Sequence, residues 1–389
     1  MKWLEKTIGE ITEIVTKGTT PTTYGFSFTE HGVNFIRAES ISKDGRVNEE
    51  TFLKISNECH IKLKRSQLKA DDILFSIAGM ALGKTGIVKE SFLPANTNQA
   101  VGILRPIKEY VFPKFLQYQF INPNFNELVN RFSAQSAQPN INLTQLKSLK
   151  VYTPPLNTQG KIVSILNAYD ELIENNLKRI ALLEQAGQNI YEEWFVNMRF
   201  PGHDKIAVDK ETRLPKGWVR TILGSFTEIR KGKNITSKSA IEGDVPVVAG
   251  GLKPAYYHNE SNTETPVITV SASGANAGYV NIYLNRIWAS DCSYIDSSMT
   301  EFVYFIYNLL KINQTLLFRL QRGSAQPHVY PKDLKEMEVI IPDPRIIKQF
   351  EDVVSHSYSQ IRVLQKQIET LKKARYILLP RLMNQTIKV

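Results

Sequence analysis

Two stretches of this chain carry side chains suited to reading nucleic-acid edges. Arg131, Ser133, Gln135, Ser136, Gln138 and Asn140 lie in one, and Arg322, Ser324, Gln326 and His328 in the other. Arg, Gln and Asn offer paired hydrogen bonds that match base edges, while Ser hydroxyls and backbone amides hold phosphates. Further candidates of this chemistry are Lys17, Thr19, Thr20 and Tyr24, then Lys84, Asn96, Asn98 and Gln99. In the second half they are Lys231, Lys233, Asn234, Ser271, Ser273, Asn276 and Ser290. Any one of them alone reads as an ordinary polar loop residue. As a group, uncharged polar loops flanked by Lys and Arg on a chain of net charge +10 favour DNA. The basic run Lys62-Leu63-Lys64-Arg65-Ser66-Gln67-Leu68-Lys69 either tracks a phosphate backbone or is a solvated face.

Motifs for catalysis fail on inspection. Gly79-Met80-Ala81-Leu82-Gly83-Lys84-Thr85 resembles a phosphate-binding loop, but only three residues separate its glycines where the motif needs four. The Gly86-Ile87-Val88 that follows reads as a strand, whereas a phosphate loop must open a helix. Asn122-Pro123-Asn124-Phe125 is close to the Asn-Pro-Pro-Phe of adenine methyltransferases, but its third residue differs and no plausible cofactor loop precedes it. It reads as a turn ending a short helix. The six histidines are scattered without metal-ligand spacing, and Asp71-Asp72 reads as a solvated turn before a strand. No catalytic and no metal-ligating residue is assigned.

The elements that position these loops come in two copies. At 389 residues and 44.2 kDa the chain is long enough for two or three domains of roughly 100–200 residues each. Cys59 and Cys292 are too few for a disulfide framework or a cysteine-rich zinc site. No signal-peptide pattern opens the chain, and no apolar run nears the ~20 residues of a membrane span. A cytoplasmic protein with no membrane partner is expected.

Ser136-Ala137-Gln138-Pro139 returns as Ser324-Ala325-Gln326-Pro327, an offset of 188. In the same register Leu146 matches Leu334, Lys147 matches Lys335, Val151 matches Val339 and Pro154 matches Pro342. Weaker echoes are Lys17-Gly18 with Lys231-Gly232, and Gly86-Ile87-Val88 with Gly278-Tyr279-Val280. After each Pro comes a long helical pattern. The first seam runs Leu166, Tyr169, Ile173, Asn176, Ile180, Leu183, Gly187, Ile190 and Trp194. The second runs Ile347, Phe350, Val354, Ser357, Ile361, Leu364, Ile368, Leu371, Arg375 and Leu378. Steps of three and four make a seven-residue repeat with a narrow seam. Each helix of about 35–40 residues is roughly 50–60 Å long. Packing of the two helices on each other is favoured over separate packing on their own domains. An antiparallel pair brings Arg375 near Asp170, Glu171 or Glu174. Asp343-Pro344 marks the second helix start, and Phe200-Pro201-Gly202 stops the first.

The expected fold class is α+β. Residues 1–155 form a first mixed domain, 156–200 a long helix, 201–343 a linker and second mixed domain, and 344–389 a second long helix. Strands are expected at 33–36, 72–77 and 265–270, with short helices near 113–122 and 302–310.

This order resembles the specificity subunit of type I restriction-modification systems, on the Lys-Gly loops, the Ser-Ala-Gln-Pro loops with their following Leu-Lys, and the Pro-terminated strands that feed long helices. Leu214-Pro215-Lys216-Gly217-Trp218 also looks like the opening of a second recognition domain. The resemblance implies two target recognition domains, each reading half of a bipartite asymmetric site in double-stranded DNA. It implies an antiparallel coiled coil with a pseudo-twofold internal repeat. The coil would fix the gap between half-sites and dock two methyltransferase (M) subunits; where the system restricts, two restriction (R) subunits would join. The chain itself would bind no cofactor and perform no catalysis, while the complex would use S-adenosylmethionine, ATP and Mg2+. The competing readings are a coiled-coil scaffold that touches no DNA, and a fused nuclease or methylase.

Overall fold

The computed structural model describes residues 3–133, 140–323 and 326–389. The chain divides into two compact units, Met1–Ile173 with Glu369–Val389, and Glu174–Ile368. Each unit combines one globular part with a stretch of both long helices. The sequence reading kept each helix whole, because periodicity marks a helix but not what it packs on.

In the first unit β1 (Leu4–Thr7) pairs antiparallel with β9 (Lys150–Thr153). An antiparallel sheet follows the order β2 (Thr12–Lys17), β8 (Val101–Pro106), β5 (Ile73–Ser76), β6 (Thr85–Ile87). A second sheet follows β4 (Leu53–Ile55), β3 (Val33–Ile36), β7 (Ala95–Thr97), with β3 and β7 parallel. All four residues of β5 are buried, which explains why Ile73, Leu74 and Phe75 are apolar in succession rather than alternating with polar residues. The helices are α1 (Asn57–Lys62), α2 (Pro113–Ile121), α3 (Pro123–Ser133), α4 (Leu143–Ser148) and the long α5 (Leu156–Tyr191). Pro113 sits at the first position of α2, where its missing N–H costs nothing.

The second unit repeats this plan strand for strand. β10 (Val219–Ile222) pairs with β18 (Glu338–Ile341). One sheet is ordered β11 (Arg230–Lys231), β17 (Cys292–Asp296), β14 (Val267–Ser271), β15 (Val280–Tyr283). The other is β13 (Tyr256–His258), β12 (Val245–Val248), β16 (Trp288–Ala289), again with one parallel pair. Its helices are α6 (Leu223–Phe226), α7 (Val303–Ile312), α8 (Gln314–Arg319), α9 (Pro331–Lys335) and the long α10 (Pro344–Met383). Asp343 caps α10, its Oδ1 accepting the Arg345 amide at 2.9 Å.

The long helices run antiparallel within each unit. In the first, Arg375 forms an ion pair with Asp170, and Leu166 and Ile173 are buried in or beside a core that Leu379 and Leu382 share, with Leu378 packed against it. In the second, Asn176 donates to Gln367 Oε1 at 3.2 Å. There Val354, Ile361, Leu364 and Ile368 are buried, and Ile180, Leu183 and Ile190 are partly buried against the core. Leu371 is half-buried. The buried surface is wider than a three-four seam, taking in Ile162, Tyr191, Phe195 and Tyr358. Each helix faces its partner and its globular part at once, so the two packings posed as alternatives occur together.

The same junction is built twice from different chemistry. In the first unit Lys114 and Tyr118 of α2 meet Asp170 at 3.0 and 2.8 Å, beside Arg375. Burial works against the Asp170 charge, but Lys114 and Arg375 overcome it and hold the carboxyl below its ordinary range. The corresponding α7 residues of the second unit are Tyr304 and Asn308. Tyr304 stacks on Tyr358 with ring centres 4.2 Å apart, and Asn308 donates to the Tyr358 hydroxyl at 3.1 Å. Gly187 stands where the first unit has Arg375, leaving room for the Tyr358 hydroxyl 3.6 Å from its would-be Cβ.

Candidate nucleic-acid interface

The Lys-Gly echo has a backbone cause. Gly18 N donates to Val101 O at 3.1 Å and Thr19 N to Thr97 O at 3.0 Å. Likewise Gly232 N donates to Cys292 O at 2.8 Å and Lys233 N to Ala289 O at 2.9 Å. A Cβ on Gly18 would collide with the Thr97 carbonyl, and one on Gly232 with that of Ser290. Only glycine lets these chains cross so closely. Lys17, Thr19 and Thr20 are half-buried around the first crossing, and Tyr24 stands exposed beyond it. Thr20 is hydrogen-bonded to exposed Gln99, and Arg65 donates to Thr19 at 3.1 Å. Lys231, Lys233 and Asn234 are all exposed at the second crossing, with the Lys233 ammonium over the Trp288 ring.

A second repeated element is the loop joining two strands of each main sheet. In the first unit Gly83 N donates to Ser76 O at 2.9 Å; in the second Gly278 N donates to Ser271 O at 2.8 Å. Each loop is framed by two left-handed glycines, Gly79 and Gly83 against Gly274 and Gly278. Gly278 therefore corresponds to Gly83. The sequence match of Gly86 to Gly278 was three residues out of register, because it aligned a strand residue with a turn glycine. It follows that the phosphate-loop look-alike at 79–85 is a hairpin turn feeding β6, not a nucleotide cradle.

The third element is the stretch after the Ser-Ala-Gln-Pro loops. Ile141 N donates to Ile77 O at 2.9 Å, and Val329 N to Ala272 O at 3.0 Å, so each stretch is clamped to the glycine-framed loop of its own unit. Asn140 bridges Ala78, and His328 bridges Ser273. Asn140 and Gln326 are exposed and His328 is half-buried, stacked on Tyr330. Arg131, exposed on α3, pairs with Glu127 at 2.6 Å. Arg322, also exposed, is held by the buried Asp333 at 2.5 Å. Ser133 ends α3, while Gln135, Ser136, Gln138 and Ser324 lie outside the described residues.

Three candidates are corrected by burial. Asn96 is fully buried and donates to Leu63 O and Ser66 Oγ at 3.1 and 3.0 Å. Ser271 is buried and donates to Gly250 O at 3.0 Å, and buried Ser290 accepts the Ile235 amide at 3.3 Å. These three support loops from inside and present nothing to a ligand. Lys84, Asn98, Ser273 and Asn276 are half-buried at the surface, and Ser273 hydrogen-bonds Asp291. The Asp71-Asp72 pair is also corrected. Asp72 is wholly buried in a two-pronged pair with Arg105, both contacts 2.7 Å, which composition at one position cannot reveal. In the basic run Lys62, Lys64, Arg65 and Lys69 are exposed, while Leu63, Ser66 and Leu68 are buried. Sequence reasoning missed Asp333, which holds Arg322. Asp333 was signalled by its place three residues into α9, where it also accepts the Tyr330 amide at 2.9 Å.

Among the described residues no group of three His, Cys, Asp or Glu could hold a metal, and no helix is long and apolar enough to cross a membrane. A cleft of about 700 Å³ in the second unit is lined by Tyr191, Phe195, Ile222, Leu309 and Val339. It includes none of the candidate contacts.

Residues 1–185 and 215–373 match the sequence profile of the type I restriction modification DNA specificity domain. The chain belongs to the type I restriction-modification specificity family. It is similar to the type I restriction enzyme MjaIX specificity subunit of Methanocaldococcus jannaschii, 28% identical over 335 residues, 79% of this chain and 76% of the relative. The putative MjaX specificity subunit of the same organism is 25% identical over 412 residues, covering 100% of this chain and 94% of the relative. The fold is that of the S subunit from M. genitalium, at a TM-score of 0.56 and 16% identity, covering 98% and 96% of the two chains. A specificity subunit is the non-catalytic, DNA-recognising component of its system, in keeping with the rejection of catalytic motifs.

Proposed function

We propose that each unit of this specificity subunit reads one half of a bipartite, asymmetric duplex site. The observation that carries this is the duplicated frame with unlike surfaces. The glycine crossings, glycine-framed loops and clamped stretches recur, yet Thr19, Lys84 and Asn140 in one unit stand where Lys233, Tyr279 and His328 stand in the other. One scaffold presented twice with unlike side chains suits two unlike half-sites. Direct contacts are assigned to Lys17, Thr19, Thr20, Tyr24, Lys84, Asn98, Gln99, Arg131 and Asn140 in the first unit. In the second they are Lys231, Lys233, Asn234, Ser273, Asn276, Arg322, Gln326 and His328. The antiparallel helices set the gap and dock two methyltransferase subunits, which bring S-adenosylmethionine; restriction subunits, where present, bring ATP and Mg2+ chemistry. The site of action is the cytoplasm.

The test is selection of duplexes from a random library by the chain assembled with its methyltransferase subunits at physiological salt. A two-part motif with a fixed gap is expected. Affinity should fall steeply with salt, with a log–log slope of about −0.9 per neutralised phosphate. An intact complex that retains no DNA would overturn the reading in favour of a protein scaffold.

A further inference from the structure

We propose that Met80 is a wedge that enters the base stack of the half-site read by the first unit. This rests on the reading of the chain as a duplex-binding subunit. The two glycine-framed loops have one frame and two tips. Their glycines match in conformation, with φ of 69° and 81° at Gly79 and Gly83 against 80° and 85° at Gly274 and Gly278. At the tip, the first loop has Met80 where the second has Ala275. Met80 is 103% exposed, the most exposed large apolar side chain among the described residues.

The stem beneath it is firmly held. Lys84 N donates to Ala81 O at 3.0 Å, and Gly83 N to Ser76 O at 2.9 Å. Ala78 bridges Asn140. The helix α3, which carries Arg131, also approaches the loop, so closely that a Cβ on Gly83 would lie 2.9 Å from Asn126 Oδ1. Lys84, Asn140 and Arg131 are all assigned contacts, so Met80 projects from a framework already placed against the duplex. A wholly solvated thioether on such a stem takes no part in packing the fold. An unbranched, polarizable side chain adapts to the irregular gap between bases. Apolar side chains inserted at a base step unstack it and kink the duplex. A kink also lowers the cost of extruding a nearby base. Ala275 lacks the reach, so the second half-site stays stacked.

The chain is assembled with its methyltransferase subunits on its selected duplex. 2-Aminopurine is moved through the first unit's half-site one position at a time, and its fluorescence is read on binding. Energy transfer between labelled duplex ends reports bending. Wild type should brighten one position and bend the duplex. Met80→Ala should lose that brightening and the bend, weaken binding roughly tenfold, and keep the half-site sequence. Met80→Leu should retain all three properties, and Ala275→Met should add a bright position in the other half-site. If Met80→Ala brightens and bends as wild type does, the wedge is overturned while recognition stands. If the wild-type complex selects no duplex, the underlying reading fails and the wedge falls with it.

Discussion

Glu351 offers a quantitative test of how the second unit is tied to α10. Its side chain is 6% exposed, and Oε1 accepts the Phe305 amide at 2.6 Å in the first turn of α7. Burial pushes its carboxyl from 4.5 up to about 8, against the pull of the Phe305 and Tyr304 amides and of Lys348; Asp352 pushes further upward. Between about pH 4.5 and 8 the folded chain thus holds a proton that the unfolded chain releases. The stability this group contributes is fully present below about pH 4.5 and is lost as pH rises toward 8. At about 1.4 kcal/mol per pH unit, the whole window amounts to about 4–5 kcal/mol. Glu351→Gln keeps the carbonyl acceptor and cannot ionise. It should match wild type within about 1 kcal/mol near pH 5 and exceed it by several kcal/mol near pH 8. Urea unfolding followed by tryptophan fluorescence at pH 5, 6, 7 and 8 measures this, since Trp194, Trp218 and Trp288 all lie in the second unit. A wild-type-to-variant difference that stays constant with pH would refute the buried-acid reasoning.

Arg375→Met should destabilise the first unit by about 2 kcal/mol, because it strips one cation from the half-buried Asp170 and leaves Lys114 alone. The double variant with Asp170→Asn should recover part of that loss, and a double-mutant cycle in urea gives the coupling. Gly18→Ala and Gly232→Ala should each cut binding more than about tenfold by forcing apart the backbone at one crossing. The damage should fall on a different half-site in each case, read by binding to duplexes altered in one half at a time. Arg131→Ala and Arg322→Ala should divide the same way, each weakening one half-site by about 1–3 kcal/mol. Equal loss at both halves in a folded variant would contradict two separate readers.

Much of the architecture was legible because it rests on local signals. The seven-residue repeat over Leu166–Ile190 and Val354–Leu378, Pro344 after its cap and Pro113 ahead of a short apolar run each follow from periodicity or backbone chemistry. The 188-residue offset announced two copies, and an antiparallel pair brought Arg375 near Asp170, Glu171 or Glu174, of which Asp170 is the partner in the structure. The site was less legible. Asn96, Ser271 and Ser290 look like surface contacts by composition, and only their burial against Leu63, Gly250 and Ile235 removes them.

The sequence by itself determined the duplicated order, the two helices, the absence of catalytic motifs and the basic character, since these depend on residue type and spacing. Tertiary structure alone decided the register of Gly83 with Gly278, the burial of the Asp72–Arg105 pair and the exposure of Met80. Each of these depends on which distant strand or helix comes to lie beside a residue. That neighbour sets its solvent exposure and its partners, and neighbours far apart in sequence leave no periodic trace.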